Sequence, residues 1–261
     1  MKLSVSNIGW TVQQDKEMYA WLQNQGFQGI EIAPTRLFPE RPYDYKSVVA
    51  DVAERLYRMY DLQIPSMQSI WYGMTQRIAG SPAERAALYK YTKLAIDFAA
   101  ACGCQNIVFG CPKNRTVSTG VDVSINEQFL WDIAQAADMR HVIIGLEANP
   151  PAYQTNYINT TPQAVKVLRQ LNHPALKLNL DFGTILANEE QLNILENNLD
   201  LISHVHISEP WLKPLQRREE HKTLRRLLEQ KYKGFISLEM ARPQNPDELK
   251  ESCLYLKEVF G

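Results

Sequence analysis

Nowhere in its 261 residues does this sequence hold an uninterrupted apolar run of the roughly 18 residues that a membrane-spanning helix requires, so no membrane partner is expected. The opening stretch, MKLSVSNIGW, has neither the long apolar core nor the cleavage site of a secretory signal. Excess charge of one sign is also missing. The 28 Lys and Arg against 29 Asp and Glu give a formal net charge of −1, which offers no field for recruiting nucleic acid. Cysteine is sparse: Cys102, Cys104, Cys111 and Cys253 include no CxxC pair, and a reduced cytoplasmic setting is the expectation. Histidine is sparse too. Five histidines are too few for the multi-zinc centre of a phosphodiester-cleaving enzyme, and His141 and His173 fall away from any expected site. A glycine-rich phosphate loop is absent where an open doubly wound sheet would carry one, because the residues after the first strand-like run read NIGWTVQQ. Linkers, low-complexity segments and tandem repeats are absent as well, so residues 1–261 are expected to form a single domain.

What the chain does contain is a regular alternation of strand-like and helix-like segments. Apolar runs predict strands at Lys2–Ile8, Gly29–Ala33, Gln63–Gln68, Asn106–Phe109, Val142–Glu147, Leu176–Asp181, Ser203–Ile207 and Phe235–Glu239. Between them lie segments such as YKSVVADVAERLYRMY and PAERAALYKYTKLAIDFAAACG, with apolar residues at three- and four-residue spacing. Helix starts are marked by Ser81-Pro82-Ala83-Glu84, Thr161-Pro162 and Asn245-Pro246, each with a capping side chain before a proline. Eight such units predict an α/β fold, a single closed (β/α)8 barrel. The run RREEHKTLRR reads as a solvated helix face with internal charge pairs.

Four of the strand ends carry metal-ligating side chains: Glu147 in HVIIGLEANP, Asp181 in LKLNLDFG, His206 in ISHVHISEP and Glu239 in GFISLEMA. Parallel barrel strands converge at their C-terminal ends, so these residues are expected at one mouth despite their separation in sequence. Any one acid at a strand end is commonly a helix cap or a lysine partner. Three carboxylates and an imidazole on consecutive strands instead predict a site for one divalent cation: Mn²⁺, Mg²⁺, Co²⁺ or Zn²⁺. His204 lies two residues before His206 and shares its face of the strand, where it would support His206 or fill an interior layer, the latter preferred.

At these residues the chain resembles the xylose isomerase-like TIM-barrel superfamily, through GFQGIEI, IGLEAN, LNLDFG, HVHISE and FISLEM across nearly its whole length. The resemblance implies metal ligation by Glu147, Asp181, His206 and Glu239, with Glu147 and Glu239 also acting as acid and base in the family's ketose epimerases. Two positions depart from that pattern. Thr184 stands where a histidine is common three residues after the strand-six aspartate, and Tyr153 replaces the epimerases' substrate-binding acid. These departures count against a free-ketohexose epimerase and leave the metal set intact. The implied activity is isomerisation or epimerisation of a sugar, sugar phosphate or keto-polyol by proton transfer through a metal-stabilised enediolate. Dehydration of a keto-polyol needs the same first step, and a non-catalytic metal- and sugar-binding barrel is the remaining alternative.

Other residues are expected near the mouth. Glu31 is placed either to hydrogen-bond substrate or to pair with Arg36 or another loop cation. Trp10, Trp71 and Trp211 each follow a strand and are candidates to wall the mouth and stack on a sugar's C–H face. Lys113, Asn114 and Arg115, with Lys213, are either anion-binding groups or solvated loop residues. Asn149, Tyr153 and Asn156 are placed either to bind a polyol or to shape a proline-stiffened turn.

Overall fold

The computed structural model describes residues 1–261 as eight parallel strands with helices between them. The elements run β1 (Lys2–Ser6), α1 (Asp15–Asn24), β2 (Gly29–Glu31), α2 (Pro34–Leu37), α3 (Lys46–Tyr60), β3 (Ser66–Met67), α4 (Pro82–Ala101), β4 (Asn106–Phe109) and α5 (Ser124–Asp138). They continue with β5 (Ile143–Glu147), α6 (Thr161–Leu171), β6 (Leu176–Asp181), α7 (Phe182–Ala187), β7 (Ile202–Ile207), α8 (Glu219–Leu228), β8 (Phe235–Leu238) and α9 (Pro246–Phe260). Strand order is β2-β1-β8-β7-β6-β5-β4-β3. The remaining gap is bridged by the isolated pairs Gly29–Gln63 and Ile32–Met67, which make the sheet a nearly closed barrel. No helix is long and apolar enough to cross a membrane.

Strands β4 and β6 have the extents expected from the sequence, whereas others are trimmed for local reasons. β3 is two residues long because Pro65 has no N–H to give the ladder; Gln63 and Ser66 pair around it. β1 stops at Ser6 because the next residues turn, and buried Asn7 accepts the Ala33 N–H through its side chain at 2.9 Å. β8 ends at Leu238, yet the Glu239 N–H still donates to the Ile207 carbonyl at 3.1 Å, which fixes the direction of its side chain.

The caps at Ser81 and Asn245 form as expected, Ser81 in a reciprocal box with Glu84. For α6 the cap is Thr160 rather than Thr161, since Thr160 accepts from the Gln163 N–H and Thr161 already lies within the helix. Ion pairs Lys222–Glu219 and Arg225–Glu229 decorate α8 as anticipated, but His221 on the same helix is buried.

Helices cover the outside of the sheet through a continuous apolar core containing Leu22, Ile107, Leu146, Leu180, Val205 and Leu256. The inside of the barrel is polar. Ser66 and Ser237 hydroxyls lie 3.1 and 2.8 Å from His204 Nε2, and Ser4 contacts Ser237, so His204 belongs to an interior layer. This packing puts the hydrogen-bonded layer directly beneath the mouth.

Candidate metal centre

His206 is the hub of the mouth. Its Nδ1 is 3.2 Å from both Glu147 Oε2 and Glu239 Oε2, and its Nε2 is 2.8 Å from Glu31 Oε2. Ligand atoms of Asp181, His206 and Glu239 all lie within 4.8 Å of one another. The four strand-end residues therefore converge, as parallel barrel geometry requires.

Two of the three carboxylates, Glu147 and Asp181, are held by identifiable donors. Glu147 accepts Asn149 Nδ2 on Oε1 at 2.8 Å and Asn179 Nδ2 on Oε2 at 2.7 Å. It also lies against Gly110 at the end of the neighbouring strand β4, where a Cβ would sit 2.8 Å from Oε1. Asp181 is the N-cap of α7, accepting the Gly183 and Thr184 N–H groups, and it also accepts the Ser208 and Thr184 hydroxyls. The capping role expected of isolated strand-end acids is thus present at Asp181 together with its place in the cluster.

Burial and mutual repulsion set the protonation of the site. Burial, reinforced by Glu147 and Asp181 and opposed by His206, pushes the Glu239 carboxyl up to about 7. Burial and Glu147 likewise raise Asp181. Burial alone would lower His206, but Glu31, Glu239 and Glu147 hold it well above the usual imidazole range. Three carboxylates around one imidazole leave an excess of negative charge facing inward. Oxygen donors with a single nitrogen, at separations that small side-chain shifts can close around one ion, fit a divalent cation.

Beside the glutamates opens a cavity of about 370 Å³, lined by Gln68, Trp71, Tyr72, Lys113, Glu147 and Glu239 among others, a volume within the range of small-molecule sites. Trp71 contributes a wall but is itself buried, donating its indole N–H to Thr92 at 2.9 Å and packing edge-on against Phe109. Lys113 lines the same cavity. Tyr153 and Trp211 form an aromatic corner: the Tyr153 hydroxyl accepts the Trp211 N–H at 2.9 Å, and the rings meet edge-on at 5.2 Å. Trp211 is 61 % exposed and adopts a left-handed backbone with φ 64°.

Several sequence expectations are corrected. Glu31 does not line the cavity and does not pair with Arg36; it is fully buried under His206, and Arg36 pairs with Asp15. Trp10 is not a wall of the cavity, since it is buried with its indole N–H on Asp15. Arg115 is neither a solvated loop residue nor an anion-binding group. It is 1 % exposed and donates to the Glu147 and Ile158 carbonyls and to Asn149 Oδ1. Asn114 binds the Met74 and Gln76 carbonyls, and Asn156 binds Val117 through both its amide groups. Both are loop fasteners. Asn149 is buried outside the cavity lining and donates to Glu147 Oε1. Asn179 and Ser208 were overlooked. Asn179 was legible in principle, because it precedes Asp181 by two residues and so shares its strand face.

The family model for xylose isomerase-like TIM barrels matches residues 19–259, and the chain belongs to that family. No curated protein sequence is significantly similar to it. Among solved structures, 3-keto-D-glucoside 4-epimerase from E. coli is 19 % identical, with 99 % of each chain covered and a TM-score of 0.77. D-psicose 3-epimerase from Clostridium cellulolyticum H10, solved with D-tagatose, is 15 % identical over 100 % of this chain and 99 % of its own, with a TM-score of 0.80. The probable 3-DHS dehydratase from Bacillus anthracis is 17 % identical over 98 % and 99 %, with a TM-score of 0.72. At these identities the likeness establishes the shared barrel.

Proposed function

We propose that this protein is a divalent-metal-dependent sugar isomerase or epimerase whose substrate is an unphosphorylated sugar or keto-polyol. The observation that carries the reading is that Glu147 and Glu239 line one cavity while both contact His206. Glu147, Asp181, His206 and Glu239 would hold the ion. When bound, the ion would supply Lewis-acid polarisation of a carbonyl and its neighbouring hydroxyl.

The chain's own groups supply the proton chemistry. One glutamate removes the proton from the carbon next to the carbonyl, the C–H electron pair becomes a C=C bond, and the carbonyl π pair moves to oxygen. The other glutamate returns a proton to the opposite face for inversion. Asn149 and Asn179 keep the Glu147 oxygens aimed, so that its approach to the carbon is set before substrate arrives. The epimerases among its structural neighbours support this reading. Lys113 is the single cation lining the cavity, because Arg115 is turned inward, and this favours an uncharged sugar over a phosphorylated one.

The test is metal analysis of the purified protein followed by incubation with ketoses and keto-polyols in deuterated solvent. Deuterium entering beside the carbonyl, with formation of an isomer or epimer, is the expected result. Loss of water from the substrate instead would identify a dehydratase, and a panel without exchange or turnover would withdraw the enzymatic reading.

A further inference from the structure

Resting on the metal-site reading above, we propose that Glu31 is a positioning residue that fixes the His206 ring so that Nδ1, and not Nε2, is presented to the cation. The imidazole is fully buried between two sets of acceptors. Nε2 faces inward to Glu31 at 2.8 Å, while Nδ1 faces Glu147 and Glu239. A histidine ligand has two nitrogens, and the one not on the metal donates to a partner that sets ring orientation and basicity. Glu31 occupies that partner's position.

The carboxylate is itself immobilised from three directions. Ser66 donates to Oε2 at 2.6 Å, Gln68 donates to Oε1 at 2.9 Å and to Ser6 at 2.9 Å, and His204 Nε2 stands 3.3 Å away. No guanidinium competes for it, because Arg36 is bound to Asp15. A buried carboxylate is costly unless it is hydrogen-bonded, and its contacts here are imidazoles and neutral donors that aim it at one ring edge. Residues on β2, β3 and β7 therefore converge to orient a single side chain at the mouth.

The experiment is titration of the metal-free protein with Zn²⁺ and Mn²⁺ for the parent, Glu31→Gln and Glu31→Ala. It is paired with long-range ¹H–¹⁵N spectra of ¹⁵N-histidine-labelled, Zn²⁺-loaded protein. In the parent, His206 should show a ligated Nδ1 and a protonated Nε2. Metal affinity should fall about 10- to 100-fold in Glu31→Ala, the usual effect of removing such a partner. Glu31→Gln should recover most of that loss, since its amide oxygen still accepts the Nε2 proton; a merely structural role would not produce this ordering. Should Glu31→Ala fail to fold, the parental spectrum and Glu31→Gln still decide. Ligation through Nε2, or parental affinity in Glu31→Ala, overturns the role of Glu31 alone. A parent that binds neither ion overturns the metal site and this role with it.

Discussion

The Arg115 guanidinium donates to the main-chain oxygen of Glu147 at 2.7 Å, tying the loop after β4 to the end of β5 just below the carboxylate. The same group reaches Asn149 Oδ1 at 2.9 Å and the Ile158 carbonyl at 3.1 Å. Burial lowers its pKa to about 10, against the pull of Glu147, and it stays charged at neutral pH. Arg115→Met would leave these acceptors unsatisfied, at about 1–3 kcal/mol each where no water replaces the donor. A loss of roughly 3 kcal/mol in urea unfolding is expected, together with reduced metal retention because Glu147 loses its anchor. An unchanged midpoint would show that the network carries no stability.

Asp181 serves two purposes that substitution can separate. As N-cap it satisfies the first N–H groups of α7, and as a carboxylate it faces His206 and Glu239. Asn is as good a cap as Asp but lacks the charge, so Asp181→Asn should lose tight metal binding at nearly parental stability. Asp181→Ala should lose both, with about 1 kcal/mol taken from unfolding stability. Elemental analysis and denaturation of the same preparations check the pair; equal stability in the two variants would remove the capping argument.

Much of this was legible because it depends on spacing. Glu147, Asp181, His206 and Glu239 end successive parallel strands, and closing the barrel brings such ends together wherever they lie in the chain. Pro65 is the visible reason that β3 is shorter than its apolar run suggests. Glu31 and Arg115 are different. Each is a charged residue near a strand end, indistinguishable in sequence from one facing solvent. Its burial is decided by groups remote in sequence: the His206 ring in the first case, the Asn149 side chain and the Ile158 carbonyl of the loop after β5 in the second. Nothing in local periodicity encodes that approach.

His221 makes stability depend on pH away from the mouth. It is packed beside Phe182, Tyr255 and Phe260, and burial lowers its pKa from 6.5 to about 4. The folded state thus holds a neutral imidazole while the unfolded state binds a proton below 6.5, so this contribution is full above that pH. It declines as pH falls from 6.5 toward 4 and levels off below. The shift corresponds to as much as about 3 kcal/mol. His221→Gln should flatten this part of the profile, measured as the difference between parental and variant unfolding free energies from pH 7 to 4. Parallel curves would exclude His221 as the source.

The strongest test of the chemistry is to replace each glutamate by its amide. Glu239→Gln and, separately, Glu147→Gln keep much of the side chain's shape and an oxygen able to coordinate, but an amide cannot accept a carbon-bound proton at neutral pH. The deficit should therefore fall on turnover, by about 100-fold or more, with a smaller change in KM. If the two residues serve opposite faces of the substrate, each metal-loaded variant should retain one-face exchange with deuterated solvent while losing net inversion. Metal content must be measured on the same samples, because both residues also stand among the expected ligands. The Asn149 and Asn179 amides, which now donate to Glu147, would have to flip or separate from a glutamine NH2 group, so Glu147→Gln should also disturb binding more than Glu239→Gln. Parental epimerisation rates in both metal-loaded variants would show that the acid and base lie elsewhere.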